Sequence, residues 1–393
     1  MRLPPVADRL AGAVRAATPL GRLVLAGSVL ALAAGAYADW IEAVTAGLTG
    51  LFTLGIAALF TVGRTAITVD VAPQRRRVVT GEHAPVTVTV TNVAPRRMLP
   101  FTLEVGAGAG LEVFAVPGLA AGATHANAFE IQARRRGVIP VGPATSVRGD
   151  PLRLLQRRVE WAGRQEVFVH PATVRLDPVG QGLLRDLEGR TTNDVSMSDL
   201  AFHTLREYVP GDDRRYIHWR SSAKADTFLV RQFQDTRRTC LLVVVDDTAD
   251  AYGDPDEFET AVSAAASVAV RSVDDAVDVT LLAGPHWTGS DLASRRNRQK
   301  VLDTCARADL GAGGLPQQVA RGVRAVPEAT YAVVVTGSRP TFADLRRACA
   351  QLPAGMPAVA VRVDPGARPR LAAHAALTVV TLPDLADLPG LLR

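Results

Sequence analysis

Hydrophobic and polar positions change rhythm three times along the chain. From Leu23 to Ala38 the run LVLAGSVLALAAGAYA has no charged residue, and after DWIE a second uncharged run, AVTAGLTGLFTLGIAALFTVG, fills 43–63. About 20 apolar residues in a helix cross a bilayer core. The pattern predicts a short segment 1–19, then a transmembrane helical hairpin over 20–63 (about 20–38 and 43–63), with Arg22 snorkelling to the surface. Beyond Arg64 the alternation has period two: ITVDVAP, APVTVTVTN, PFTLEVG, ANAFEIQAR, GVIPVGPATSVRGD and QEVFVHP, punctuated by Gly81, Pro95, Gly122 and Gly137. Such runs predict an immunoglobulin-like β-sandwich over 64–172. From Cys240 the strand runs become continuously apolar: CLLVVVDD, VDVTLLAG, YAVVVTGS, PAVAVRVD and ALTVVTLP. They alternate with the helical stretches DPDEFETAVSAAASVAVRSV, DLASRRNRQKVLDTCARA and TFADLRRACAQL. Strands buried on both faces between helices predict a doubly wound, mostly parallel α/β domain over 173–393.

Flanking residues give the hairpin a direction. Tyr37 and Trp40 sit where interfacial aromatics belong, and Asp39 and Glu42 occupy the connection. Arg9, Arg15, Arg22 and Arg64 flank the outer ends, so the positive-inside rule expects a multi-pass protein of a bacterial cell membrane with both termini and the soluble domains in the cytoplasm. The competing reading is a signal peptide cleaved after Ala36-Tyr37-Ala38. With 48% hydrophobic and 21% charged residues the chain is not broadly disordered. Its +5 excess is almost all arginine, with lysine only at 224 and 300, a bias that fits a GC-rich bacterial genome and gives no nucleic-acid signature. Cys240, Cys305 and Cys349 lie far apart in apolar segments without a C-x-x-C pair, as reduced core residues do. Arginine clusters at 75–77, 96–97, 134–136 and 157–158 suit either anionic headgroups or solvated strand ends.

Candidate chemistry gathers after the first α/β strand, where ligands of such sheets bind. Asp246-Asp247-Thr248-Ala249-Asp250 has Asp-x-Thr-x-Asp spacing, which can bring three oxygens onto a hard cation such as Mg²⁺. It resembles the metal-ion-dependent adhesion site of von Willebrand factor A domains, usually Asp-x-Ser-x-Ser. Two features depart from that site: Asp250 replaces the last serine, and VVVTGSR supplies no acid after Thr336. A capped acidic loop is the competing reading of Asp246, Thr248 and Asp250, and no cofactor is otherwise expected. No P-loop, H-E-x-x-H motif or nucleophile elbow is present, and His218 and Ser222, four apart, have no identifiable third partner. The expectation is therefore that the protein is not an enzyme.

One stretch concentrates charge and aromatic surface: LREYVPGDDRRYIHWRSSAKADTFLVRQF, residues 205–233. Pro210-Gly211-Asp212 is a strong turn signal, with Tyr216 or Ile217 and Trp219 able to plug into an apolar wall. Arg206, Arg215, Arg220 and Arg231 bracket Glu207, Asp212 and Asp213, so bidentate ion pairs could crosslink the turn. A structural corner and a partner-docking surface both fit. The stretch resembles the signature of a bacterial membrane-protein family, domain of unknown function fifty-eight. Its matching positions are Arg206, Tyr208, Pro210, Gly211, Asp212, Arg215, Ile217, Trp219, Ser222, Ala223, Leu229, Val230 and Arg231, with Lys224 in place of arginine. Upstream, RRRGVIPVGPATSVRGDPLRLL is similar to another stretch of that family, with Leu152 and Arg153 in place of Phe-Gly. The resemblance implies a von Willebrand factor A-like fold, a MoxR-type AAA+ ATPase as partner, often a transglutaminase-like membrane protein as neighbour, and no catalytic residues to carry over. The leading expectation is a membrane-anchored adaptor presenting its α/β domain to that ATPase. The alternative is a sensor that binds an anionic ligand or lipid headgroup through the arginines of 205–233.

Overall fold

In this computed structural model the described residues are 17–61, 66–177, 200–209, 214, 217–225, 227–235, 240–288, 298–374 and 377–392. They form two compact units, Met1–His170 and Pro171–Arg393.

The first unit begins with two apolar helices packed together, α1 (Pro19–Ala38) and α2 (Ile41–Thr61). Both are long and apolar enough to cross a membrane. Thr18 caps α1 by accepting the Gly21 N–H at 3.1 Å, and Asp39, at φ 48°, turns the chain into α2. Small residues let the helices approach closely. A Cβ on Gly47 would stand 2.8 Å from the Ser28 carbonyl oxygen, and one on Gly50 would stand 2.0 Å from the Ser28 hydroxyl. Leu23, Leu30, Phe52 and Leu59 point outward and are exposed. Helix pairs that meet through small residues and turn large apolar ones outward suit lipid, where no hydrophobic force presses helix on helix.

Nine strands follow: β1 (Ile67–Pro73), β2 (Arg77–Val79), β3 (His83–Asn92), β4 (Phe101–Ala107), β5 (Gly110–Val116), β6 (Thr124–Gln132), β7 (Gly137–Gly149), β8 (Gln156–Ala162) and β9 (Gln165–His170). One sheet has the order β1-β3-β6; the other runs β2-β9-β7-β4-β5, with β8 also on β7. The core lies between them. Val86, Val88 and Val90 of β3 are wholly buried, as are Leu103 and Val105 of β4, while the intervening threonines and Glu104 are not. This is the sandwich the period-two pattern predicts, with three added strands. β5 escapes the pattern because it is an edge strand whose first six residues all keep some exposure.

The loop 150–155 fastens the hairpin to this sandwich. The buried Asp150 carboxylate accepts the N–H groups of Leu152 (3.0 Å), Leu154 (2.7 Å) and Leu155 (2.8 Å). The loop so formed presents its carbonyls to the start of α1: Thr18 N–H donates to Leu154 at 3.0 Å and the Thr18 hydroxyl to Arg153 at 2.7 Å. Gly21 is needed at this contact, because a Cβ there would lie 2.1 Å from the Leu154 oxygen. The stretch GDPLRLL thus works as a mortise for the first helix.

The second unit opens with an antiparallel pair, β10 (Leu200–Glu207) and β11 (Leu229–Asp235), separated by a short helix α3 (Trp219–Ala225). A seven-stranded mixed sheet follows: β12 (Cys240–Val245), β13 (Asp278–Ala283), β14 (His286–Trp287), β15 (Tyr331–Thr336), β16 (Ala358–Val363), β17 (Arg370–His374) and β18 (Leu377–Leu382), in the order β14-β13-β12-β15-β16-β18-β17. The five inner strands are parallel and both edges antiparallel. α4 (Pro255–Asp274) and α5 (Arg298–Arg307) cover the face that carries Leu241, Val243 and Val245. α6 (Leu315–Ala325) and α7 (Phe342–Cys349) cover the face of Leu242 and Val244. α4 starts where its sequence says: Asp254 accepts the N–H groups of Asp256 and Glu257, with Pro255 at the first position. α6 was not expected. Its Gly322 lies against Leu242 and Val244, where a Cβ would approach the leucine methyls to 3.1 Å, and glycine weakens the helical signal it packs through. Strand order reverses between β12 and β15, so the carboxyl ends of these strands are the switch point at which sheets of this kind bind ligands.

Candidate functional site

The switch point is built from backbone ends that the central strands deliver together. Asp246 continues β12, its N–H donating to Val335 of β15 at 2.8 Å. Its carboxylate, 1% exposed, accepts the Thr336 hydroxyl at 2.7 Å and the Thr248 N–H at 3.0 Å. The Tyr252 hydroxyl donates to its carbonyl at 2.5 Å. Asp247, also buried, accepts a hydrogen bond from the Gln318 side chain of α6. Gly284, Gly311 and Gly313 surround that carboxylate so closely that a Cβ on any of them would lie 3.0–3.3 Å from its oxygens. Arg321 donates to the Gly284 carbonyl and holds this rim. On the other side of the β12 loop, the buried Glu257 accepts the Gly253 N–H at 2.8 Å and both the N–H and the hydroxyl of Ser338.

Burial dominates the electrostatics. It raises the Asp246 carboxyl above the ordinary range, against the lowering pull of its bonds to Thr336 and Thr248. Asp247 is raised by burial first and by the neighbouring Asp246 second, partly offset by Arg321.

The Asp-x-Thr-x-Asp side chains of Asp246, Thr248 and Asp250 are placed as follows. The Asp246 carboxylate is engaged by Thr336 and Thr248, the Thr248 hydroxyl donates to the Gly313 carbonyl, and Asp250 is exposed on the turn Ala249–Ala251. Among the described residues no group of three or more His, Cys, Asp or Glu side chains could hold a metal ion. The arrangement is a carboxylate-braced rim that fixes three loops at the switch point. Sequence reasoning missed Asp247, Glu257, Gln318 and Ser338, since their partners lie 65 or more residues away or on the unexpected α6. The glycine run at 311–314 was the one local signal of this packing.

The signature stretch is partly described. Pro210, Gly211, Asp212, Asp213, Arg215 and Tyr216 lie outside the described residues, and Arg206 and Arg231 are placed only as backbone in β10 and β11, where each pairs with a neighbour of the other. Ile217 is buried and bridges to Val230. His218 N–H donates to Leu229 at 2.8 Å, and Ser222, buried, receives the Leu229 N–H at 2.9 Å and donates to the His218 carbonyl at 3.1 Å. His218 Nδ1 accepts the Ser221 N–H at 3.2 Å. Serine and histidine therefore pin α3 to β11, and Ser222 meets His218 through its backbone carbonyl rather than its imidazole.

Trp219 does not plug into a wall. It is 62% exposed, with Phe228 at 57% beside it, ring centroids 6.1 Å apart and edge to face. Tyr208 meets the same phenylalanine at 6.4 Å, also edge to face. Val209, Ala223, Lys224, Arg214 and Arg220 are exposed around this cluster or on the adjoining helix and turn. Trp219 and Phe228 thus form an exposed aromatic ledge, with exposed cations on the same helix as Trp219.

A hairpin of apolar helices, a β-sandwich and an α/β sheet preceded by an aromatic ledge describe a class: chains in which two folded modules follow a pair of helices long and apolar enough to cross a membrane. Residues 204–312 match the family model described as Protein of unknown function DUF58, so this chain carries a DUF58 domain there. The match takes in the ledge, the acidic loop and the first residue of the glycine run, Gly311, but not Gly313, Gly314 or the GDPLRLL stretch. No curated protein matches the chain. Solved structures similar to parts of it include the CARDB domain of a Pyrococcus furiosus protein crystallised with di-metal ions, 16% identical over 27% of this chain and 93% of that one, with a TM-score of 0.21. The putative ApaA protein of Bordetella pertussis is 16% identical over 28% of this chain and 97% of that one, at 0.20. The PKD domain of an M14-like peptidase from a Thermoplasmatales archaeon is 17% identical over 27% and 98%, at 0.18. At these scores the likenesses say nothing about function.

Proposed function

We propose that the protein is a non-enzymatic membrane-anchored adaptor. α1 and α2 cross the membrane with both ends on the cytoplasmic side, the sandwich is immunoglobulin-like, and the α/β unit is a von Willebrand factor A-like domain that docks a MoxR-type AAA+ ATPase to envelope-linked clients. The observation that carries this reading is the ledge of exposed Trp219 and Phe228, backed by the half-buried Tyr208, on a scaffold whose serine and histidine are spent on holding it in place. The buried carboxylates at the switch point support it too, being committed to loops of the same unit. Aromatic anchors at the centre of an interface commonly contribute 2 kcal/mol or more, about a 30-fold change in affinity.

The test is capture from the native membrane. The wild-type chain retains the ATPase through washing, and Trp219→Ser with Phe228→Ser loses it by about 30-fold or more while the unfolding midpoint stays put, since both rings are exposed. Equal recovery by the two chains counts against this docking mode. The exposed Arg214, Arg220 and Lys224 favour a second reading, a sensor for an anionic ligand or headgroup. In that case glutamine at these three positions removes salt-sensitive binding to anionic vesicles, and the aromatic changes leave it intact.

A further inference from the structure

One end of the β-sandwich is shaped as a platform. Strand register puts Ile67 beside Asn92, Thr124 beside Thr91, Phe101 beside Val116, Thr102 beside Val147, and Gly149 beside Gln156. The chain therefore leaves α2 and enters the sandwich at the end where the loops 93–100, 117–123 and 150–155 gather. Two buried polar side chains fix those loops. Asn92, fully buried, donates to the carbonyls of Arg96 (2.9 Å), Leu119 (3.1 Å) and Ala120 (3.0 Å) and accepts the Ala94 N–H at 3.0 Å. Asp150 holds the third loop through the three N–H bonds described above. Leu119, Met98 and Leu154 turn inward. What these loops turn outward is aliphatic and cationic: Leu99 is 71% exposed and Leu152 61%, with Arg96, Arg97 and Arg153 exposed beside them. The three loops contain one acid, Asp150, and it is buried.

We propose that this end of the sandwich is a membrane-surface contact, with Leu99 and Leu152 seated at the headgroup–acyl boundary and Arg96, Arg97 and Arg153 on lipid phosphates. The inference rests on reading α1 and α2 as spanning helices. Arginine by itself does not select this end, for Arg75, Arg76 and Arg134–Arg136 decorate the opposite one. The hairpin selects it. Leu154 and Arg153 hydrogen-bond to Thr18, immediately before α1, and Ala17 bridges to Leu155. A loop bonded to the first turn of a 20-residue spanning helix stands at the level where that helix leaves the hydrocarbon. The return path is short as well. Five residues separate Thr61 from Ile67, at most about 20 Å of extended chain. Leu152 and Leu99 on rigid loops at that height meet acyl chains rather than water, as interfacial aliphatic residues do.

The experiment uses the full chain in nanodiscs of phosphatidylglycerol and phosphatidylcholine, with Cys349→Ala and single spin labels at Leu152→Cys, Leu99→Cys, Leu30→Cys and Val113→Cys. Accessibility to oxygen and to a water-soluble nickel chelate reports depth. The labels at 152 and 99 are expected at a depth of roughly 5–10 Å below the headgroup surface, the one at 30 in the hydrocarbon, and the one at 113, on edge strand β5, in water. Labels at 152 and 99 as open to nickel as the label at 113, with 30 in the hydrocarbon, overturn the contact and leave the anchor standing. A label at 30 that is open to nickel overturns the anchor and the contact with it.

Discussion

Alanine at position 246 lowers the unfolding midpoint of the α/β unit by about 5–15 °C, and asparagine does not. Alanine removes the acceptor of two buried donors, the Thr336 hydroxyl at 2.7 Å and the Thr248 N–H at 3.0 Å. Each orphaned donor costs about 1–3 kcal/mol in a site that water does not reach. Asparagine keeps the Thr248 bond through its carbonyl and replaces the other with a reversed one, its amide donating to the Thr336 hydroxyl oxygen, which frees that hydroxyl to turn its proton elsewhere. It also removes a charge that burial disfavours. Because the folded carboxyl is raised above its unfolded value, its favourable contribution is present at pH below the ordinary carboxylate range and is lost as pH rises through the raised folded value. The asparagine variant therefore gains on wild type as pH rises from about 4 towards neutrality. Thermal unfolding of the three proteins across that range reads the result. An alanine variant as stable as wild type would show that the rim is not braced through Asp246.

Alanine at position 150 loosens the join between hairpin and sandwich. Three N–H groups, those of Leu152, Leu154 and Leu155, lose a buried acceptor, a cost of about 2–4 kcal/mol after partial relaxation toward water. The loop then no longer presents its carbonyls to Thr18, so the first turn of α1 loses its dock on the sandwich. Hydrogen exchange in detergent is expected to speed up at 150–155 and at 18–21 together, with β12 and β15 unchanged. Faster exchange in the loop alone would mean that the helix is held by something other than this loop.

The parts of the molecule that sequence made legible are those whose burial is regular. Leu241–Val245 and Val333–Val335 are buried on both faces and read as continuous apolar runs; Val86, Val88 and Val90 alternate because only one face of β3 is covered. Where burial is uneven the pattern fades. β5 turns Leu111 and Val113 to solvent, and α6 meets the sheet through Gly322, so neither announces itself. The hairpin connection fell at Asp39 and Trp40, with α2 beginning at Ile41 rather than at residue 43, because helix tolerates Glu42 in its first turn. The site was half legible for a related reason. Asp246 and Thr248 stand in one short stretch, but what they do depends on Thr336 and Gly313, which only the fold brings to them. Trp219 read as a buried plug because tryptophan usually is one; its ring lies instead against Phe228 on the outside of α3. Spacing proposes partners, and topology chooses among them.

The central claim is that the Trp219–Phe228 ledge is where a partner protein sits. A photo-crosslinking amino acid at position 219 of the full chain, irradiated in living cells and followed by mass spectrometry of the adduct, tests it most directly. A single dominant adduct with an AAA+ ATPase is expected, abolished when Phe228 is also changed to serine. Adducts with lipid alone, or with unrelated proteins in proportion to their abundance, would contradict it.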